Sequence, residues 1–226
     1  MTASPAPLRI DIASDVVCPW CIIGYLQLEA ARKATGVALD IHWHPFELNP
    51  EMPAAGENLR AHIAAKYGSS PQEGRAARAK LTALGAALGF DFDYFDEMRM
   101  VNTFAAHRLM TWAETLGAKH KLKMALFAAY FSQRRDVSDA ETLVEIAADL
   151  GLDPEAAARV LRENRYAGEV RDVERAWIDN GISGVPAMIF AGRHLVTGAQ
   201  GVETYTKILQ HLTLPEGSEG ERGRGG

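Results

Sequence analysis

The chain has 226 residues, 47% of them hydrophobic, with 24 Lys and Arg against 29 Asp and Glu and a formal net charge of −5. That length and apolar content supply one sizeable core, and the acidic balance excludes the basic footprint of a nucleic-acid binder. No run is apolar for long enough to span a bilayer, and Met1 to Pro7 lacks the basic start and apolar stretch of a secretory leader, so the cytoplasm is the expected compartment.

The first element is a strand over Leu8 to Ala13, followed at once by Cys18-Pro19-Trp20-Cys21, which holds both cysteines of the chain. Pro19 is suited to the first turn of a helix, Ile22, Ile23, Leu26, Leu28 and Ala30 give that helix apolar surface, and Gly36 stops it. Val37 to Trp43 reads as a second strand, so strand, helix and strand imply a right-handed parallel crossover. Pro45 ends this unit, and Asn49-Pro50-Glu51-Met52-Pro53 is a rigid loop.

A long helical stretch is expected next. Alanine-rich helices are predicted over Glu57 to Tyr67 and Pro71 to Leu88. Apolar stripes at helical spacing follow: Ala105, Leu109, Trp112 and Leu116; Leu122, Ala125, Leu126 and Ala129; Leu143, Ile146, Ala147 and Leu150. Ser138 with Glu141 fits a capping box, and Asp153-Pro154-Glu155 a further helix start. The strand pattern returns only at Pro186 to Phe190, and Ala191-Gly192-Arg193 turns it into His194 to Thr197 as a hairpin. Gly201 to Leu212 makes a closing helix, and Pro215 to Gly226, rich in Gly, Glu and Arg, reads as a disordered tail.

The two cysteines stand one helical turn apart, which places their Cα atoms roughly 5 to 6 Å apart and suits a disulfide that opens and closes without backbone movement. A structural bridge is a poor reading, because so short a loop removes little chain entropy. Cys18 at the helix start should carry the thiolate, since free N–H groups and the helix dipole favour an anion there. Cys21, one turn in, should be shielded and resolve. Asp15 opposes the effect, and no cation lies between Ser14 and Trp20, so a moderate depression of the Cys18 pKa is expected. Zinc held by Cys18, Cys21, His42 and His44 is disfavoured. The two histidines are read as diverging, and His-x-His is not zinc-finger spacing.

Four ordered blocks carry a resemblance: Ser14-Asp15-Val16-Val17-Cys18-Pro19-Trp20-Cys21; Pro45-Phe46-Glu47-Leu48-Asn49-Pro50; Asn102-Thr103 with Ala106-His107-Arg108-Leu109; and Gly184-Val185-Pro186. With the element order, they make the chain resemble the DsbA family of thiol-disulfide oxidoreductases, and within it the FrnE-like cytoplasmic subgroup. The resemblance implies an α/β thioredoxin-like fold with an inserted all-helical subdomain. The DsbA-like domain would span 1–214, with the thioredoxin core at about 8–50 and 168–214, the insertion at about 57–165 and the tail at 215–226. It implies Cys18 and Cys21 as catalytic residues, no metal or organic cofactor, and substrate thiols or disulfides as partners, with glutathione among the candidates. It also implies a cis bond at Pro186, which sets this proline against the dithiol, with Pro19, Trp20, Pro186 and the Val185 backbone contacting substrate. Periplasmic DsbA proteins have histidine where Trp20 stands. An indole cannot support a thiolate as imidazole does, so strong oxidising power is not carried over.

Outside the motif, the chain is similar to 2-hydroxychromene-2-carboxylate isomerases and kappa-class glutathione transferases, which share the helical insertion. Those typically place serine at the Cys18 position, and Cys21 would have no purpose in their glutathione chemistry. His44, Asn102 and His107 are further candidates to line the site, His44 as a proton carrier and Asn102 also as a helix cap. Phe90 to Phe95, which alternates aromatic and acidic residues, should fold onto the core or form an apolar rim for substrate.

Overall fold

Alternation along the first strand, β1 (Leu8–Ser14), sends Ile10 and Ile12 into the core and Asp11 to the opposite face. The computed structural model describes residues 6–213, so the tail expected after Pro215 lies outside the described residues. Pro19 opens α1 (Pro19–Thr35), and Gly36, at φ 71°, ends it by donating its N–H to the Arg32 carbonyl at 2.9 Å. Ile22, Ile23 and Leu28 of α1 are buried, each contributing about 1.5–3 kcal/mol by leaving water. β2 (Leu39–Pro45) then pairs parallel to β1, from Leu8 opposite Leu39 to Ser14 opposite Pro45.

The next elements are β3 (Glu57–Asn58), α2 (Leu59–Tyr67), α3 (Pro71–Ala87), β4 (Arg99–Met100), α4 (Phe104–Glu114), α5 (Lys119–Phe131), α6 (Ala140–Asp149), α7 (Pro154–Arg162) and α8 (Ala167–Asp179). The chain closes with β5 (Ala187–Phe190), β6 (His194–Thr197) and α9 (Val202–Thr213). The main sheet runs β2-β1-β5-β6, with β5 antiparallel to β1 and β6 to β5. Tyr25 of α1 and Phe127 of α5 pack on Trp43, and Tyr205 of α9 packs on Phe190, so these three helices cover one face. α8 covers the other, through Trp177 against His44.

Several expectations are corrected. Residues 57 and 58 are not helical: they pair with Met100 and Arg99, and Asn58 caps α2 by accepting from Arg60 N and Ala61 N, which requires its extended backbone. Strand structure therefore returns well before Pro186. Asp139, not Ser138, caps α6 through Thr142 N at 2.8 Å, because the Ser138 hydroxyl is engaged with Asp136. Leu116 lies beyond α4 and is exposed. α8 escaped the apolar patterning because its buried positions are Val170, Glu174 and Trp177, and the glutamate interrupts the stripe.

Candidate active site

Cys18 is the cap residue of α1, with extended backbone (φ −91°, ψ 110°), and no side chain caps the helix there. Both cysteines are free thiols, 3% and 0% exposed. The Val185–Pro186 bond is cis, and the Val185 carbonyl lies 3.5 Å from Cys18 Sγ as its acceptor. Gly24 of α1 faces this loop: a Cβ there would stand 3.3 Å from both Pro186 Cγ and Met188 Cε.

A buried charged cluster lies behind the dithiol. Lys123 of α5 is 1% exposed; its Nζ donates to the Ser14 carbonyl at 3.2 Å and lies 4.8 Å from the Phe127 ring centroid. Burial lowers its pKa from 10.5 to about 8, against the pull of Cys21 and Asp15 towards the charged form. Asp15 is buried and accepts from Leu48 N at 2.8 Å, with His107 Nε2 3.4 Å from its other oxygen. Burial would raise the Asp15 pKa, but His107, the Leu48 N–H and Lys123 hold it below the ordinary range.

This cluster acts on the two thiols in opposite directions. Burial opposes ionisation of Cys21, but Cys18 and the nearby Lys123 ammonium outweigh it and bring Cys21 below the usual thiol value. Cys18 is pushed well above that value by its interaction with Cys21, then by burial and by the charges of Cys21 and Asp15. The pair thus loses one proton readily and the second with difficulty, and both steps belong to the pair as a whole.

Cys18 opens onto a cavity of about 960 Å³ between the dithiol loop and α2–α3, while Cys21 does not line it. Pro19 and Trp20 (38% exposed) form one lip, and Val185 with residues 181–184 another. Leu59, Ile63 and Leu81 supply apolar lining, together with Tyr94 and Phe131.

Residues 9–210 match the DSBA-like thioredoxin domain. The chain belongs to that family. This DsbA-like chain is similar to a protein from Streptomyces coelicolor named a probable DsbA oxidoreductase: identity is 33%, 96% of this chain and 92% of that one are covered, and the TM-score is 0.85. It shares its fold with the cytosolic disulfide reductase DsbM of Pseudomonas aeruginosa (TM-score 0.61, 20% identity, 91% and 98% covered). A 2-hydroxychromene-2-carboxylate isomerase also shares the fold (TM-score 0.67, 16% identity, 90% and 95% covered). Likeness at that level is one of fold, and function must be argued from the residues.

The other expected site residues of the DsbA-like chain lie away from the cavity. His44 projects from the sheet face opposite α1, where Nε2 meets Asp11 at 2.8 Å and the ring packs on Trp177. His42 shares that face, because residues two apart on a strand point the same way, and it meets Asp40 at 2.8 Å. The histidines do not diverge; both face away from the thiols, and no cluster of metal-ligating side chains forms among the described residues. Asn102 ties Met52 O to α4, accepting from Phe104 N at 3.0 Å, although Thr103 is the formal cap. His107 lies fully buried beneath Asp15.

Lys123 was the residue missed. It sits in helical register with Phe127 and Tyr130, and a lysine inside an apolar stripe was the available signal. Within the Phe90–Phe95 segment, Phe92 packs on Phe131, as expected of a loop folded onto the core, and Tyr94 lines the cavity.

Proposed function

We propose that the protein is a thiol-disulfide oxidoreductase working through the Cys18–Cys21 dithiol, on thiol or disulfide substrates, in the cytoplasm. The observation that carries this reading is the asymmetric pair: one sulfur opens onto a cavity at a helix N-terminus, and the other lies behind it beside a buried lysine. In the reducing direction, Cys18 passes its proton to Cys21 and attacks the substrate disulfide, forming a mixed disulfide and releasing one thiolate. The Lys123 ammonium then favours loss of the Cys21 proton, and the Cys21 thiolate attacks Cys18 Sγ. This closes the protein disulfide and expels the second thiol; two electrons have passed to substrate. The oxidising direction is the reverse. Val185 presents main-chain groups beside Cys18 that hold a substrate in line with little side-chain preference. Pro19 and Trp20 shape the entrance.

The test is equilibration in a series of glutathione redox buffers, with acid quench, alkylation and intact-mass readout. A reversible two-electron step between dithiol and disulfide is expected, and its midpoint assigns the direction of electron flow. Cys21→Ala should accumulate a mixed disulfide at Cys18. A Cys21→Ala variant that retains full glutathione-dependent isomerase activity would transfer the chain to the isomerase and transferase class instead.

A further inference from the structure

The cavity has polar lining that the dithiol chemistry does not use. Tyr94 lines it, and its hydroxyl is buried without a hydrogen-bond partner among the described residues. An unpaired buried hydroxyl costs about 1–3 kcal/mol unless something else satisfies it. The hydroxyl lies near enough to both Cys18 and Arg78 for their charges to act on it. Arg78, on α3, also lines the cavity; it is half-buried and lies across Gly74, where a Cβ would be 3.4 Å from its Nη1.

The lining carries two cations, Lys66 and Arg78, and two carboxylates, Glu47 and Glu73. Lys66 lines the same cavity and is held by neutral acceptors, the Leu48 carbonyl and Asn49 Oδ1 at 2.9 and 2.7 Å. Of the two carboxylates in the lining, Glu73 is bound into the capping box of α3 with Ser70, and Glu47 is paired with Arg171. Most of the remaining lining is aliphatic or aromatic, with Ser69 and Ser183 among it, and the volume lies at the upper end of the range for small-molecule sites.

We propose that this cavity takes a small organic disulfide with a largely apolar body and an acidic group, the acid meeting Arg78 and the disulfide reaching Cys18 beside the Tyr94 hydroxyl. The inference rests on the oxidoreductase reading and names its substrate class. The reaction is the reducing sequence above: the protein, with one thiol and one thiolate, becomes the Cys18–Cys21 disulfide, and the substrate leaves as one thiolate and one thiol. A small thiol such as glutathione restores the dithiol for a second turnover.

The test is single-turnover oxidation of the pre-reduced full-length protein by two aromatic disulfides, anionic 5,5′-dithiobis(2-nitrobenzoate) and neutral 4,4′-dithiodipyridine. Rates are followed against disulfide concentration. The expected result is saturation with the anionic reagent. Arg78→Met should raise its half-saturation concentration about tenfold and change the neutral reagent less than twofold; Arg78→Lys should recover most of the loss, and Tyr94→Phe should slow both. Equal effects of Arg78→Met on the two reagents, or no saturation in the wild type, would overturn the proposal. So would faster oxidation by a disulfide-bearing peptide that Arg78→Met leaves unchanged. If the dithiol and disulfide still interconvert in glutathione buffers, only the substrate class has failed; if they do not, the oxidoreductase reading has failed as well.

Discussion

Glu47 offers a quantitative test of the electrostatics at the cavity wall. Its side chain is 2% exposed, one oxygen paired with Arg171 and the other without a partner, and its N–H donates to the Glu174 carboxylate at 3.1 Å. Burial, and then the nearby Glu174 charge, push its pKa from 4.5 to about 7, although Arg171 pulls the other way. The folded protein therefore holds the proton more tightly than the unfolded chain. The stabilisation is complete below pH 4.5, falls as the unfolded chain ionises first, and is gone above pH 7. At about 1.4 kcal/mol for each tenfold in proton affinity, the loss across that window is about 3 kcal/mol. Glu47→Gln carries no such proton, so its stability relative to wild type should rise by about 3 kcal/mol between pH 4 and pH 8, with the two proteins close at pH 4. Urea unfolding of the reduced protein at several pH values measures this, and slopes common to both proteins cancel in the difference. A flat difference, or a variant less stable than wild type at pH 8, would show that the ion pair with Arg171 outweighs desolvation and that the reasoning is wrong.

Lys123→Met should leave the fold intact, since methionine fills the same space, and should slow alkylation of the reduced dithiol by iodoacetamide at pH 7 about tenfold; an unchanged rate would remove Lys123 from the account of the thiols. Gly85→Ala is expected to destabilise by about 1–3 kcal/mol despite the gain of about 1 kcal/mol in helix propensity. Its Cβ would meet the Phe90 carbonyl at 2.5 Å and the Phe92 ring at 2.6 Å, and backbone cannot yield cheaply. Gly24→Ala, with side-chain neighbours at 3.3 Å, should be close to neutral in the same unfolding assay, whereas Gly24→Val should lose stability and move Pro186, altering the Cys18 alkylation rate. Equal losses for Gly85→Ala and Gly24→Ala would contradict the packing argument.

The reading of Cys18-Pro19-Trp20-Cys21 as a dithiol at the start of a helix needed only local information: i to i+3 spacing, the fixed φ of Pro19, and Gly36 as a left-handed stop. β1, β2 and the β5–β6 hairpin were legible for the same reason, because alternation and turn residues act within a few positions. The short β3–β4 pair was not, since two residues of strand leave no periodicity to read. The surroundings of the two thiols were also beyond the sequence. Cys18 faces a carbonyl 167 residues away, and the cation that lowers Cys21 lies in α5 and bonds to a carbonyl 109 residues earlier. The sequence by itself determined where the thiols are and that they can bond to one another. Which charges surround the two sulfurs, and what cavity Cys18 faces, was decided only when α5 and α3 folded over the dithiol loop. Coulomb and desolvation energies depend on distance in space, and chain spacing does not encode that distance beyond a turn or two.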